Sequence, residues 1–169
     1  WKGDNNCFAV ARITLSAITT VKVEFGFTDS FADAGAALVL ATPTATADDA
    51  AIWVFDTDDT PTTDAWQTFS VKDGGTPQKE AAAETTSLET APKVPVAGTY
   101  QYVGVFLEGN QAMFRLWDEN GRKLGSDIVH TTAIEGGTAV GPWLFVQNRA
   151  GSIDRLVTID YLMVGQRRT

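Results

Sequence analysis

The residues best equipped for chemistry in this 169-residue chain are its clustered acids. Asp56, Asp58 and Asp59 stand together in "FDTDDT". Three neighbouring carboxylates can donate oxygens to Ca²⁺, a hard cation that takes six to eight of them. The run lacks the glycine and the distal glutamate of an EF-hand loop, so it also reads as a solvated loop after a buried strand. Asp48 and Asp49 add ligands only if the connecting strand doubles back. A second cluster, "RLWDENGRKLGS" from Arg115 to Ser126, sets two acids beside an Asn-Gly pair. Asn-Gly between apolar residues is a strong hairpin signal, because a type I′ turn needs positive φ at both central residues. A turn centred on Asn120 and Gly121 places Glu119 opposite Arg122, Asp118 opposite Lys123 and Trp117 opposite Leu124. Such cross-strand pairs contribute roughly 0.2–1 kcal/mol each. The acids then already have partners, and the cluster reads as a turn rather than a metal site.

Other reactive groups are sparse. His130 is the only histidine, so any Ser-His-Asp or Cys-His mechanism must use it. Its segment carries no nucleophile motif, and no G-x-S-x-G occurs. The pairs Gly74-Gly75 and Gly136-Gly137 belong to no Walker or dinucleotide pattern. Glycoside hydrolysis needs two carboxyls about 5–10 Å apart. The E-x-D-x-x-E and E-x-D-x-E strand patterns of jelly-roll glucanases are absent, and Glu24 and Asp160 are lone strand acids. The expectation is a chain that is not an enzyme and holds no cofactor or metal. Of the five tryptophans, Trp53 and Trp143 lie in apolar runs that look like core. Trp66 and Trp117 are the better candidates for exposed rings that stack on a sugar. Cys7 has no second cysteine to pair with and sits in an apolar run, as a small core residue does.

The elements that would carry these residues are strands. Val21, Val23, Phe25 and Phe27 alternate with Lys22, Glu24 and Gly26, the period of a strand with one buried face. Phe8 to Leu15 alternates likewise, and the short "SAIT" link predicts a hairpin with the strand that follows. Further strands are predicted over Ala36–Ala41, Ala51–Phe55, Trp66–Val71, Tyr100–Leu107, Ala112–Trp117, Pro142–Gln147 and Arg155–Val164. Gln78–Glu84, rich in helix formers, predicts a short helical turn or an excursion from the sandwich, leading into a strand near Thr85–Thr90. The expected fold is all-β with little helix: an antiparallel two-sheet β-sandwich or jelly roll, as a single domain over residues 1–169. A net charge of −8 repels phosphate backbones and disfavours nucleic acid as a partner. "GQRRT" at the end reads as a solvated basic tail. No apolar run approaches the roughly 20 residues of a membrane-spanning helix.

Three stretches carry a family resemblance. "FAVARITLSAITTVKVEFGFTDS" resembles the opening of concanavalin A-like, or laminin-G-like, jelly rolls, and "GTYQYVGVFLEGNQAMFRLWDENGRKL" their central strands and hairpin. "LFVQNRAGSIDRLVTIDYLMVGQRR" is similar to the close of tailed-phage virion proteins of this fold, through Gln147, Asn148, Ala150, Leu156, Asp160, Tyr161, Gln166 and Arg167. The resemblance implies a structural protein of a tailed-phage virion, assembled in the host cytoplasm. It would be a capsid decoration or head-associated protein that binds the major capsid protein or other virion proteins, commonly as a homo-oligomer. The alternative is a carbohydrate-binding module or adhesin that recognises a surface glycan through Trp66, Trp117 and the acidic loop; a third reading, a glycoside hydrolase or lyase, needs a cleft with two carboxyls.

Overall fold

The computed structural model describes residues 1–31, 38–39, 44–57, 65–81 and 94–167. After a 3₁₀ turn at Gly3–Asn5 come β1 (Phe8–Leu15), β2 (Val21–Thr28), β3 (Leu38–Val39), β4 (Thr44–Ala45), β5 (Ala50–Asp56) and β6 (Gln67–Val71). Then follow β7 (Gln78–Ala81), β8 (Gln101–Glu108), β9 (Gln111–Trp117), β10 (Ile128–His130), β11 (Gly141–Asn148) and β12 (Val157–Gly165). Sheet A has the order β10-β9-β8-β1-β12 and sheet B the order β11-β2-β5-β6-β7, while β3 and β4 pair alone. All the pairings are antiparallel. The expected all-β two-sheet sandwich is the observed fold.

The core lies between the sheets. Ala9, Ala11, Ile13 and Leu15 of β1 face Val23, Phe25 and Phe27 of β2 across the sandwich, all buried. Small alanines on β1 leave room for large rings opposite. Trp53 packs edge-on against Trp66 and Phe114, with centroids at 6.3 and 5.8 Å. Both buried indoles satisfy their N–H, as burial requires. Trp53 donates to the Gly104 carbonyl at 2.9 Å, and Trp66 to the Gln101 side chain at 2.9 Å.

Local expectations change at several points. β1 and β2 are not a hairpin: β1 pairs with β8 and β12, β2 with β5 and β11. The link between them crosses from one sheet to the other, because both strands have a core-facing stripe that the opposite sheet must cover. Gln78–Ala81 is strand β7, paired with β6. There the open edge of β6 overrides helix propensity, a weak prior over four residues. The rest of that predicted turn, the strand near Thr85–Thr90 and most of Ala36–Ala41 lie outside the described residues. In β2 all eight residues are buried, Lys22 and Glu24 included, so sheet B is covered on its outer face too. β12 carries a bulge at Asp160, opposite Arg12 and Ile13, which shifts its register. Leu162 thereby joins Ile159 on the core-facing side.

The Asn120-Gly121 hairpin forms, one step out of the expected register. Trp117 bridges Lys123 rather than Leu124, and the Leu124 N–H donates to the Leu116 carbonyl at 2.8 Å. Gly121 has φ 78° while Asn120 does not have positive φ, which is a three-residue turn ending in a left-handed glycine rather than type I′. Asp118 decides it. Its Oδ1 accepts the N–H groups of Asn120 and Arg122 at 2.9 and 2.8 Å, an Asx closure that a two-residue loop cannot offer. The charges re-pair accordingly: Arg122 with Asp118 at 3.4 Å, and Lys123 with Asp127 at 2.8 Å.

Candidate functional site

The acids of "FDTDDT" do not act together. Asp56, at the end of β5, is buried and takes both its oxygens to the Arg149 guanidinium, Oδ1 at 2.9 Å from Nε. Asp58 and Asp59 lie outside the described residues. Among the described residues no three His, Cys, Asp or Glu side chains are placed to hold a metal ion. Asp160 pairs with Arg12 at 2.5 Å on the outside of sheet A. Cys7 is 1% exposed and donates to the Lys2 carbonyl at 2.7 Å; burial raises its thiol pKa, so it stays protonated.

His130 points into the sandwich from edge strand β10. Its two ring nitrogens meet the Thr68 hydroxyl at 3.2 Å and the Ser70 hydroxyl at 2.7 Å, both on β6 of the opposite sheet. The ring tilts against Phe114, centroids 5.0 Å apart. Burial lowers its pKa from 6.5 to about 4, so at neutral pH it is an uncharged cross-strut between sheets. Ser70 has no acidic orienting chain of the triad kind through this histidine: its hydroxyl sits on one ring nitrogen and Thr68 on the other.

Sequence reasoning missed a buried polar group on the outer face of sheet B. Lys22 and Glu24, two apart on β2, both point outward and are 1% and 0% exposed. The Lys22 ammonium lies 2.8 Å from Glu24 Oε1, and the Trp143 indole donates to Glu24 Oε2 at 2.8 Å. Asp56 is the cross-strand neighbour of Lys22, which brings its paired Arg149 alongside. Burial pulls the Lys22 pKa down, and Glu24 and Asp56 push it back. The period of two showed that these residues share a face; it could not show that the face is covered. Trp143, expected in the core, is half-buried here and stacks on Phe145 at 5.8 Å with planes 5° apart. Two carboxylates near one ammonium suit proton transfer in principle. Here each is bound to a cation, and both are closed off from solvent.

The open surface is on the other sheet. Phe8 and Val10 of β1, Tyr102 and Phe106 of β8, Trp117 of β9 and Tyr161 of β12 project from the outer face of sheet A around a groove of about 400 Å³. A second hollow of about 250 Å³ shares Phe8 and Phe106 with it and reaches Asn6, Glu108, Gln111 and Val129. Two glycines seat the rings. A Cβ at Gly104 would lie 2.9 Å from Trp117, and one at Gly165 2.5 Å from Phe8, so both rings lie directly on backbone. Phe8 and Phe106 stack with centroids at 6.3 Å, and Trp117 meets Phe106 edge-on at 6.5 Å. The charges beside the groove are paired: Arg12 with Asp160, and Arg115 with Asp127 through bonds of 2.9 Å. Arg12 also stacks over Tyr100, 4.0 Å from its centroid. Trp117 is thus at the surface, as expected. Trp66 is 1% exposed in the core, packed against Trp53 and Phe55, and offers no ring face to a ligand.

No family model and no curated protein matches this chain. Among solved structures, it is similar to a xylan β-1,4-xylosidase from Bacillus halodurans at TM-score 0.52 and 11% identity, over 96% of this chain and 28% of that one. It also aligns with an alginate lyase from Klebsiella pneumoniae at TM-score 0.49 and 13% identity, over 95% of this chain and 60% of that one. The chain therefore spans under two thirds of either structure. At this identity the xylosidase match shows a shared β-sandwich fold. It also corrects the expectation that the chain is not an enzyme: that expectation rested on missing motifs, and the fold is one that an enzyme carries.

Proposed function

We propose that this chain is a structural component of a tailed-phage virion, a capsid decoration or head-associated protein that binds the shell. The observation that carries the reading is an apolar surface gathered on one edge. Ile153, Leu156, Ile159, Tyr161, Leu162 and Met163 are 41–66% exposed, and all lie on β12 or just before it. They lie on both faces of this edge strand, Ile159 and Leu162 on one and Tyr161 and Met163 on the other, and such a gathering of exposed apolar side chains at one edge favours an interaction surface. This edge adjoins the aromatic groove of sheet A through Tyr161 and Met163. The same segment carries the sequence resemblance to phage virion proteins, and Leu156 and Tyr161 belong to both.

The test is immunogold labelling of purified particles of the source phage with antibody to this chain. Regular labelling of heads supports the reading; particles that lack the chain by labelling and by mass spectrometry sink it. The glycan-binding alternative keeps Trp117 and loses Trp66. The carbon-lined centre of the groove weighs against it, because sugar hydroxyls need hydrogen-bond partners.

A further inference from the structure

Sheet A ends on β12, which is nine residues long and pairs with β1 alone among the described strands. Its bonding to its own chain runs on past both ends. The Ser16 N–H donates to the Leu156 carbonyl at 2.9 Å, and the Arg167 N–H to the Asn5 carbonyl at 2.8 Å. On the other side, alternate N–H and C=O groups face outward and meet no described strand. Such an edge is a template for another strand, and proteins blunt it with short strands, lysine or proline. The other three edges of the two large sheets are blunted in this way: β10 has three residues, β7 has four with Lys79 among them, and β11 carries Pro142. β12 holds neither lysine nor proline. Its one charge, Asp160, sits in the bulge and is held by Arg12. The extra residue of that bulge reverses the alternation beyond it, so Val157 and Ile159 share the core-facing side with Leu162 and Val164.

We propose that β12 pairs antiparallel with β12 of a second copy of this chain, about a two-fold axis between Asp160 and Tyr161, so that the two A sheets join edge to edge. Three features single out a second copy. First, about this axis Ile159 lies beside the partner's Leu162 and Val157 beside the partner's Val164, each on the matching face. A strand of unbroken alternation would set these pairs on opposite faces, so the bulge is what makes β12 complementary to itself. Second, the same axis brings Asp154 of each copy to the partner's Arg167. Both are exposed and join no ion pair with a described residue. Third, Ile159 and Leu162 line the mouth of a hollow of about 180 Å³ between β12 and β11, with Phe25 and Leu144 at its back. The same two side chains of the other copy continue the core across that mouth, in both directions at once. The six exposed apolar side chains at this edge amount to roughly 600 Å², near the about 800 Å² that each partner brings to a stable interface. The dimer goes beyond the virion function proposed above and does not depend on it.

The experiment is sedimentation equilibrium of the full chain over a range of concentrations. The native chain should sediment at twice its own mass. Leu162→Lys changes a side chain that is 54% exposed, so the fold should keep its circular dichroism spectrum. In the dimer each new ammonium is pressed against the partner's Ile159, and the dimer Kd should rise about a hundredfold or more. Asp154→Arg sets arginine against arginine at both ends of the paired strands and should raise the Kd about fivefold or more. Adding Arg167→Asp to Asp154→Arg restores opposite charges and should recover most of that loss. A native chain that stays monomeric up to about 1 mM overturns the proposal. So does a dimer that Leu162→Lys leaves intact, or one in which the double charge reversal recovers nothing. A dimer that is missing from phage heads would remove the virion assignment and leave the pairing standing; labelled heads with a monomeric chain would do the reverse.

Discussion

Because His130 is the only histidine, acidification isolates one buried group. In the unfolded chain its ring takes a proton below about pH 6.5. In the folded chain burial holds it neutral down to about pH 4. The unfolded state therefore binds more protons between those values, and folding stability falls as pH falls through that window. The full gap, at about 1.4 kcal/mol per pH unit, amounts to about 3 kcal/mol, most of which is lost by pH 4.5. Little of this is screened, since the ring is 4% exposed. The assay is urea unfolding at several pH values from 7.5 to 4.5, for the native chain and for His130→Gln. Carboxylates titrate in both proteins, so their effect cancels in the difference. The native chain should lose about 2–3 kcal/mol relative to the variant. Parallel stability profiles would refute the reasoning, as would an NMR titration of the single imidazole with its midpoint near 6.5.

Removing one partner of the buried Lys22–Glu24 pair strands the other, so Glu24→Ala should cost about 3–5 kcal/mol, read as a lower urea midpoint. The double change Lys22→Met with Glu24→Leu should restore most of that loss, since neither charge then remains buried alone. Asp118→Ala removes the side-chain oxygen that accepts two backbone N–H groups of the turn and should cost about 1–2 kcal/mol, with faster amide exchange at Asn120 and Arg122. Gly104→Val drives side-chain atoms into the Trp117 ring and should lower the melting temperature by an amount equivalent to about 1–3 kcal/mol. An unchanged melting temperature there would mean that the ring does not rest on the sheet.

Much of the fold was legible because strand periodicity is local. The alternation in Phe8–Leu15 and Val21–Thr28 fixes which side chains share a face, and Asn120-Gly121 marks a reversal wherever the strands go. Which strands pair is not local. The β1–β12 contact joins residues about 150 positions apart, and "SAIT" is equally able to turn back or to cross between sheets. The hairpin register turned on Asp118, whose carboxylate can reach two amides only in the longer loop. The sequence placed Trp66 and Trp117 alike, since each stands beside a strand of similar composition. Only packing separates a ring held between the sheets from one lying on Gly104.

The sequence by itself determined a two-sheet sandwich, the shared face of Lys22 and Glu24, and the single histidine, because these follow from residue type and a period of two. The tertiary structure decided that Lys22 and Glu24 are covered and ion-paired, that His130 spans the two sheets, and that β12 exposes its apolar side chains beside an aromatic groove. Burial is a property of what lies opposite a strand, and what lies opposite is set by contacts between residues far apart in the chain.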